Sequence, residues 1–203
     1  GARLPAVIVN VMRGGPGLGG IQPSQADYNQ MTRGGGNGDY NCIVMAPEDV
    51  QETVDLMKES FDLADYYRNP VMLVADGLIG QMMAPVDFDR PTPKYDLPKK
   101  DWATVGTKGR KSGERNIINS LSLVAETLEQ MNIENQEKFN HMKENQQRYE
   151  LINMENADIA LVAYGTSSRI CRSAIQTLKA EGINVGIVRP IFIWPYPEKA
   201  FQE

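Results

Sequence analysis

Apolar residues along the first third of the chain follow two different periods. The runs 7–11, 42–46 and 71–75 are short, continuous and rich in β-branched residues, which predicts buried strands. After the second run, a proline and two acidic residues begin a segment with one apolar face at helical spacing. The residues of this face are Val50, Val54, Met57, Phe61 and Ala64. This order predicts an α/β fold with a parallel sheet and three layers, because helices cover both faces of such sheets.

A short helix is predicted between the first two strands. Ser24 is its expected N-cap, Asp27 lies in its first turn, and it ends at about Met31. Glycine-rich loops flank this helix on both sides, at 14–20 and 34–38.

The rest of the chain contains a connecting region and a second β/α unit. Prolines among charged residues predict an extended linker over 85–101. Helical spacing in 121–131 predicts a helix, and the polar stretch 134–150 predicts a mostly solvated one. Strands are predicted over 159–163 and 185–188, with a helix between them. The apolar stripe of that helix is Ile170, Ala174 and Leu178, and we divide the chain into 1–86, 87–156 and 157–203.

Composition and charge limit the expected partners. The 203 residues carry a net charge of −5, which disfavours a nucleic-acid partner. No apolar run approaches the roughly 20 residues of a membrane span, so none is expected. Cys42 and Cys171 are predicted to be buried free thiols, which favours a reducing, cytoplasmic setting. They are too few for an iron–sulfur cluster. His141 lies in a polar stretch and is predicted to be exposed and non-catalytic.

The loop from Arg13 to Gly20 is the most informative segment. It follows a predicted strand, and open α/β sheets bind ligands at the carboxyl ends of their strands. Glycines let the backbone approach a ligand, and an arginine can hold a carboxylate with two parallel charge-assisted hydrogen bonds. Arg13 is therefore a candidate for binding a substrate carboxylate. The alternative is a surface arginine that pairs with an acidic residue of the protein.

The same loop also matches the dinucleotide-binding fingerprint G-x-G-x-x-G, at Gly15, Gly17 and Gly20. Pro23 interrupts the place where a phosphate-binding helix begins in such folds. Asp39 has about the right distance for a ribose-binding acid, but it lies in a loop and not at a strand end. An NAD-dependent dehydrogenase is therefore disfavoured.

Two other segments are candidate sites. Asn37-Gly38-Asp39 lies in a loop that is rich in glycine, which indicates either a cofactor or subunit surface or a flexible connection. Gly165-Thr166-Ser167 follows a predicted strand and begins a helix. Backbone N–H groups at a helix start can bind an anion, although simple capping is the alternative.

These segments, taken in order, resemble the α subunits of 2-oxoacid:ferredoxin oxidoreductases over essentially the whole chain. The matching segments are Leu4 to Val11 with Arg13-Gly14-Gly15-Pro16, Gln25-Ala26-Asp27, Asn37-Gly38-Asp39, Ala46-Pro47, Asn69-Pro70-Val71, the Asp76 loop, Val162 to Thr166, and Val188-Arg189-Pro190 before Trp194 to Pro197. Gly17-Leu18 replaces the Ser-Thr pair of many 2-oxoglutarate-type members, which favours the 2-oxoisovalerate (ketoisovalerate) type. Asn37 stands where a histidine is common, so a 2-oxoglutarate-specific member stays an alternative.

The resemblance also implies domains and roles. Residues 1–86 would form most of a thiamine-diphosphate pyrimidine-binding domain, 87–156 a linker with partly solvated helices, and 157–203 the start of a transketolase C-terminal-like domain. Arg13, with Gly14-Gly15-Pro16, would hold the carboxylate of a 2-oxoacid. The family's Tyr-Pro-x-Thr-Pro motif and its cofactor-activating glutamate motif are not present. We therefore expect no catalytic residue and no metal ligand here, and a chain that is truncated at both ends and inactive alone.

The implied reaction is oxidative decarboxylation of a 2-oxoacid to acyl-CoA and CO2, with electrons passed to ferredoxin. Thiamine diphosphate and Mg²⁺ would be held mostly by a partner subunit, iron–sulfur clusters would lie on other subunits, and coenzyme A would be a cosubstrate. The implied partners are β-, γ- and δ-type subunits and ferredoxin. The alternative is a non-catalytic assembly module of such a complex.

Overall fold

A computed structural model describes residues 1–107 and 115–202 of the chain. Residues 108–114, inside the predicted connecting region 87–156, lie outside the described part. The strands in this part are β1 (Ala6–Met12), β2 (Ile43–Met45), β3 (Pro70–Asp76), β4 (Tyr149–Ile152), β5 (Ile159–Val162), β6 (Val185–Pro190) and β7 (Phe192–Trp194). The helices are α1 (Tyr28–Arg33), α2 (Val50–Tyr67), α3 (Gly77–Gln81), α4 (Ala125–Asn145), α5 (Gly165–Ala180) and a final 3-10 turn, Glu198–Phe201.

The first sheet has the strand order β1-β3-β2-β7. β1 and β2 both run parallel to β3, and β7 pairs antiparallel with β2 at one edge. Alternate residues of β2 point to opposite faces, so Ile43 packs towards α2 and α4 while Val44 packs towards α1. The α/β class and the three layers are therefore confirmed. The antiparallel β7 was not predicted.

The second sheet has three strands in the order β4-β6-β5. β5 runs parallel to β6, as predicted, and α5 packs on them through Ile175. β4 pairs antiparallel with β6, although the sequence predicted a solvated helix there. Because β7 continues from β6 into the first sheet, the chain returns from its second unit to its first. The boundaries 1–86, 87–156 and 157–203 stay predictions.

Helix α2 begins where the sequence indicates, but its buried face differs from the prediction. Asp49 is the N-cap, and its carboxylate accepts a hydrogen bond from the Glu52 backbone N–H at 2.7 Å. Phe61 was expected in the core and is 59% exposed. The residues that are buried are Leu56, Glu59, Ser60, Leu63, Ala64 and Tyr67. The charged residue Glu59 points inwards because a half-buried arginine pairs with it.

That partner is Arg148, which binds the Glu59 carboxylate through both guanidinium nitrogens at 2.5 and 2.6 Å. The Tyr95 hydroxyl donates to the same carboxylate at 2.6 Å. Glu59 is fully buried, and a buried carboxylate needs this set of donors. Through Glu59, helix α2 therefore binds both the 85–101 segment, at Tyr95, and Arg148, the residue before β4. The predicted linker is extended, and it also packs against the core at Tyr95.

Three other predictions about helices were wrong. The first helix begins at Tyr28 and not after Ser24, because the preceding segment forms tertiary contacts with Arg13 and Tyr164. One helix, α4, replaces the predicted pair, and Leu121 and Val124 precede it. Ile170 of α5 is exposed, because the buried stripe of that helix passes through Ile175.

Other predictions agree with the structure. Cys42 is a buried free thiol, as predicted, whereas Cys171 is free but only half-buried. His141 is exposed, with its Nδ1 atom 3.2 Å from the Tyr67 hydroxyl. None of the helices in the described ranges is long and apolar enough to cross a membrane.

Candidate functional site

The carboxyl edge of the first sheet brings together segments that are far apart in sequence. Met12 at the end of β1 is paired in register with Asp76 at the end of β3, so the loops after both strands leave the sheet side by side. The loop after β1 turns back on itself through a bridge between Arg13 and Pro23. Two backbone hydrogen bonds close it, from Gly14 N–H to the Gln22 carbonyl at 3.1 Å and from Gly20 N–H to the Gly14 carbonyl at 2.8 Å.

Glycine is required at one position of this loop. Gly19 has φ +57°, and a Cβ atom there would lie 1.9 Å from the Gly14 carbonyl oxygen. No side chain fits at that distance, so the closed loop needs glycine at this point. The loop is therefore closed by its own backbone, and Arg13 lies where it closes, at the bridge to Pro23.

Arg13 is exposed at this edge. Within residues 1–107 and 115–202, no side chain forms an ion pair or a hydrogen bond with its guanidinium. The predicted alternative, pairing with an acid of the protein, is therefore absent from the described structure. Gly14-Gly15-Pro16 continues directly from Arg13 along the same edge, with a cis peptide bond before Pro16. A guanidinium in this position is free to bind a carboxylate from outside the chain.

Asp76 is a buried acid at the same edge. Its Oδ1 atom accepts hydrogen bonds from the backbone N–H groups of Leu78 at 2.9 Å and Ile79 at 3.3 Å. It thereby caps α3 and fixes the turn after β3. The sequence marked this loop only through the family resemblance.

The start of α5 packs against this edge from the second unit. The Gln25 side chain donates to the Tyr164 carbonyl at 2.9 Å, and the Ser167 hydroxyl donates to Gln25 at 3.1 Å. The Ser168 hydroxyl donates to the Glu48 carboxylate at 2.8 Å. The predicted anion-binding turn, Gly165-Thr166-Ser167, thus lies beside a carboxylate of the chain itself. Its predicted capping role is wrong, because α5 has no side-chain cap.

Tyr164 and Thr166 place two buried hydroxyl groups in this region, and neither has a hydrogen-bond partner among the described residues. Burial, with Tyr28 and Asp76 nearby, raises the pKa of the Tyr164 phenol to about 12. The phenol is therefore protonated at neutral pH and can donate a hydrogen bond. Sequence reasoning did not single out Tyr164 for this, although it directly follows a predicted strand.

An ion-pair network next to this site was not predicted. Arg189 on β6 is 3% exposed and pairs with Glu48, Glu52 and Glu150. Arg172 on α5 shares Glu48 and Glu150 at 2.8 and 2.5 Å. The network joins the beginning of α2 to the second sheet, which fixes α5 against the carboxyl edge.

The loop with Asn37-Gly38-Asp39 lies at the opposite edge. It precedes β2, whereas Arg13 follows β1, and the parallel strands separate the two loops. The three residues are exposed, and Tyr40 anchors the loop by accepting a hydrogen bond from the Gly35 N–H at 2.8 Å. The structure therefore does not bring this loop together with Arg13.

Comparison with known proteins identifies the family. Residues 1–159 match the family described as pyruvate flavodoxin/ferredoxin oxidoreductase, thiamine diphosphate-binding. The chain belongs to this family. Residues 157–203 match pyruvate:ferredoxin oxidoreductase core domain II. The resemblance drawn from the sequence is confirmed.

Among individual relatives, the identity is higher to a ketoisovalerate oxidoreductase subunit than to a 2-oxoglutarate synthase subunit. The chain is 48% identical over 203 residues to the ketoisovalerate oxidoreductase subunit VorB of Methanothermobacter marburgensis, covering 100% of this chain and 56% of the relative. It is 29% identical over 224 residues to the 2-oxoglutarate synthase subunit KorA of Methanocaldococcus jannaschii, covering 98% of this chain and 59% of that subunit. The chain thus spans little more than half the length of these relatives.

A solved structure has the same fold. It is a 2-oxoglutarate:ferredoxin oxidoreductase from Magnetococcus marinus, with 2-oxoglutarate, coenzyme A and succinyl-CoA bound. The similarity has a TM-score of 0.78 at 24% identity and covers 99% of this chain and 39% of that one.

Proposed function

We propose that this chain is part of the α-type subunit of a thiamine-diphosphate-dependent 2-oxoacid:ferredoxin oxidoreductase. The complex would convert a 2-oxoacid, preferentially 2-oxoisovalerate, to acyl-CoA and CO2 and pass the electrons to ferredoxin. The observation that carries the proposal is the exposed Arg13, which has no side-chain partner among the described residues, at the carboxyl edge of a sheet in a member of this family. Identity of 48% to a ketoisovalerate oxidoreductase subunit, against 29% to a 2-oxoglutarate synthase subunit, supports the branched-chain substrate.

Arg13 would bind the carboxylate of the 2-oxoacid. A planar guanidinium offers two parallel N–H donors, which match the two oxygens of a carboxylate and fix its orientation. Gly14-Gly15-Pro16 would let the substrate approach the backbone, because Gly14 and Gly15 have no side chains to block it.

The described residues fit one wall of a cofactor cleft better than a complete cofactor site. The buried hydroxyls of Tyr164 and Thr166 have no hydrogen-bond partner among the described residues and are free to donate, and the Tyr164 phenol lies near Asp76. Thiamine diphosphate supplies the electron sink for decarboxylation when it is bound. In the described ranges no group of three or more His, Cys, Asp or Glu side chains could hold a metal ion. We assign the diphosphate and Mg²⁺ to a partner subunit.

The remaining assignments follow from the same proposal. The two cysteines of the chain are too few for an iron–sulfur cluster, so the clusters would lie on β-, γ- or δ-type subunits. Asn37-Gly38-Asp39 is an exposed loop that suits a subunit surface. Gly165-Thr166-Ser167 would hold the start of α5 against the first unit rather than bind a free anion. Coenzyme A is the cosubstrate, and the cytoplasm is the expected compartment. The domains would be 1–86, 87–156 and 157–203.

Turnover by the assembled complex tests the proposal. The full-length subunit is co-expressed with its neighbouring subunits, and reduction of a viologen dye is followed with a panel of 2-oxoacids. Reduction that depends on thiamine diphosphate and coenzyme A, and is fastest with 2-oxoisovalerate, is expected. A complex that carries thiamine and clusters but reduces the dye with no 2-oxoacid would instead indicate a non-catalytic assembly module.

A further inference from the structure

A cavity of about 810 Å³ lies at the other end of the first sheet from Arg13. It is bordered by the loop at 37–39, by the residues that begin β2 and β3, and by one face of α4. Because the strands separate it from the carboxyl edge, it is distinct from the site proposed for the 2-oxoacid. Lys138 of α4 lines this cavity beside Asn69.

Within residues 1–107 and 115–202, Lys138 is a partly buried cation without an acidic partner. Its Nζ atom donates to the Asn69 side-chain oxygen at 2.9 Å. No carboxylate in the described part of the chain lies within ion-pair distance of it. A charged amine that is removed from water is costly unless an opposite charge compensates it, so buried lysines are normally paired. A compensating negative charge from outside the chain could lie in the cavity that Lys138 lines.

The positive charges around Lys138 increase its need for a compensating negative charge. Burial, together with the Arg3 and Arg68 guanidiniums, lowers the pKa of the Lys138 amine to about 8. Arg3 is itself paired with Glu134 at 2.7 Å, so that acid is already engaged. Burial raises the pKa of the Cys42 thiol to about 11, so it carries no charge at neutral pH. Asp39 also borders the cavity, from the exposed loop.

The rest of the lining is rich in amide side chains, which can donate to anionic oxygens and accept from hydroxyl groups. The amide residues are Asn37, Asn41, Asn132, Asn135 and Gln136, whereas Asn69 already donates its amide hydrogens to the carbonyls of Asn41 and Pro70. A volume of this size is within the range of about 300–1,000 Å³ that small-molecule sites occupy. The lining is therefore suited to a small polar anion.

We infer that this cavity is a second ligand site, which binds a small oxyanion, a carboxylate or a phosphate, through Lys138 and the amides around it. The anion supplies the opposite charge that Lys138 lacks. Binding therefore stabilises the protonated amine, and the ligand and the proton bind cooperatively. The inference is independent of the 2-oxoacid site, because the two sites share no residue.

Competitive acetylation of lysine amines, read by peptide mass spectrometry, tests this on the assembled wild-type complex. The acetylation of Lys138 is followed against pH in three conditions: no added anion, inorganic phosphate, and succinate. Each unit by which the anion raises the amine pKa lowers the free-amine fraction about tenfold at pH values below that pKa. We expect such protection of Lys138 with one of the two anions, and the effective one identifies the ligand class. Lys143 on the same helix, outside the cavity, is the internal control.

Equal acetylation of Lys138 in all three conditions would overturn the inference. So would an amine that stays unreactive at every pH without added anion, because another part of the complex would then cover it. Calorimetric titration gives a second measurement with the effective anion. A Lys138→Met complex should lose one binding event per subunit, Lys138→Arg should keep it, and Lys143→Met should match the wild type. Unchanged stoichiometry in Lys138→Met would also contradict the site.

Discussion

Arg189 on β6 forms an ion pair with Glu52 in the first turn of α2, which joins the second sheet to the first. Arg189 also pairs with Glu48 and Glu150, so one buried guanidinium contacts three carboxylates, from the beginning of α2 and from β4. The Arg189 guanidinium was removed from water when the chain folded, and it depends on these partly exposed carboxylates for compensation. The packing of α5 against the carboxyl edge therefore depends on this cluster.

Replacing Arg189 by methionine should destabilise the protein strongly. The change leaves three partly exposed carboxylates without their buried counter-charge, although Arg172 still pairs with Glu48 and Glu150. Partial exposure places the expected cost at the lower end of the about 3–5 kcal/mol that breaking a buried pair typically costs. Urea unfolding of the full-length subunit measures this cost. Arg169→Met is the matched control, because Arg169 is exposed on α5, and it should change stability by no more than about 0.5 kcal/mol. Equal effects of the two variants would show that the network adds little.

The hydroxyl of Tyr95 should matter for the order of the 85–101 segment. Tyr95→Phe removes the 2.6 Å hydrogen bond to Glu59 and leaves a buried carboxylate with one donor fewer. The expected cost is about 1–3 kcal/mol, with faster proteolytic cleavage within 85–101. Tyr66→Phe is the control, because its ring packs against Tyr95 but its hydroxyl has no described bond to Glu59. Identical cleavage rates in both variants would argue against the anchor.

The shape of the Arg13 loop should depend on Gly19. In Gly19→Ala the new Cβ atom would overlap the Gly14 carbonyl, so the loop must open and Arg13 must move. We expect a higher KM for the 2-oxoacid, and at least the backbone strain that the control also carries, because both glycines have positive φ. Gly17→Ala is the control, since Gly17 also has positive φ but its Cβ would contact nothing within 4 Å. Its backbone strain costs only about 1–2 kcal/mol. A normal KM in Gly19→Ala would mean that the closed loop is not needed.

Lys138 predicts a specific dependence of stability on pH. Its folded-state pKa of about 8 lies below the ordinary value of 10.5. Protonation therefore opposes folding: this penalty is absent above pH 10.5, grows as the pH falls, and is complete below about 8. In anion-free buffer, Lys138→Met should gain stability over the wild type as the pH falls through this window. Unfolding curves at both ends of the window measure the difference. A constant difference would contradict the shifted pKa.

The parallel strands of the first sheet are predicted well from the sequence. The antiparallel strands β4 and β7, which depend on long-range pairing, are not. β1, β2 and β3 are continuous apolar runs, so their burial is visible in the pattern. β4 reads Tyr-Glu-Leu-Ile after a polar helix, and its strand form depends on pairing with β6. β7 was missed because it follows β6 almost directly in the sequence. Its pairing with β2, which makes it a separate strand, is a long-range contact.

The candidate site shows the same division. Arg13 was predicted because a glycine-rich loop after a strand is a local signal. The partnership of Arg189 with Glu52 joins residues 137 positions apart, and no local pattern encodes it. The inward turn of Glu59 on α2 was hidden for the same reason, because its partner Arg148 lies 89 residues further along the chain.

The most direct test of the central claim is the KM for 2-oxoisovalerate of an assembled complex that carries Arg13→Ala. Loss of a bidentate charge-assisted contact should raise KM by about two orders of magnitude. Arg13→Lys should recover part of the loss, because lysine keeps the charge without the paired donors. Arg33→Ala, an exposed arginine outside the Arg13 loop, should leave KM unchanged. A wild-type KM in Arg13→Ala would remove Arg13 from the substrate site and contradict the account.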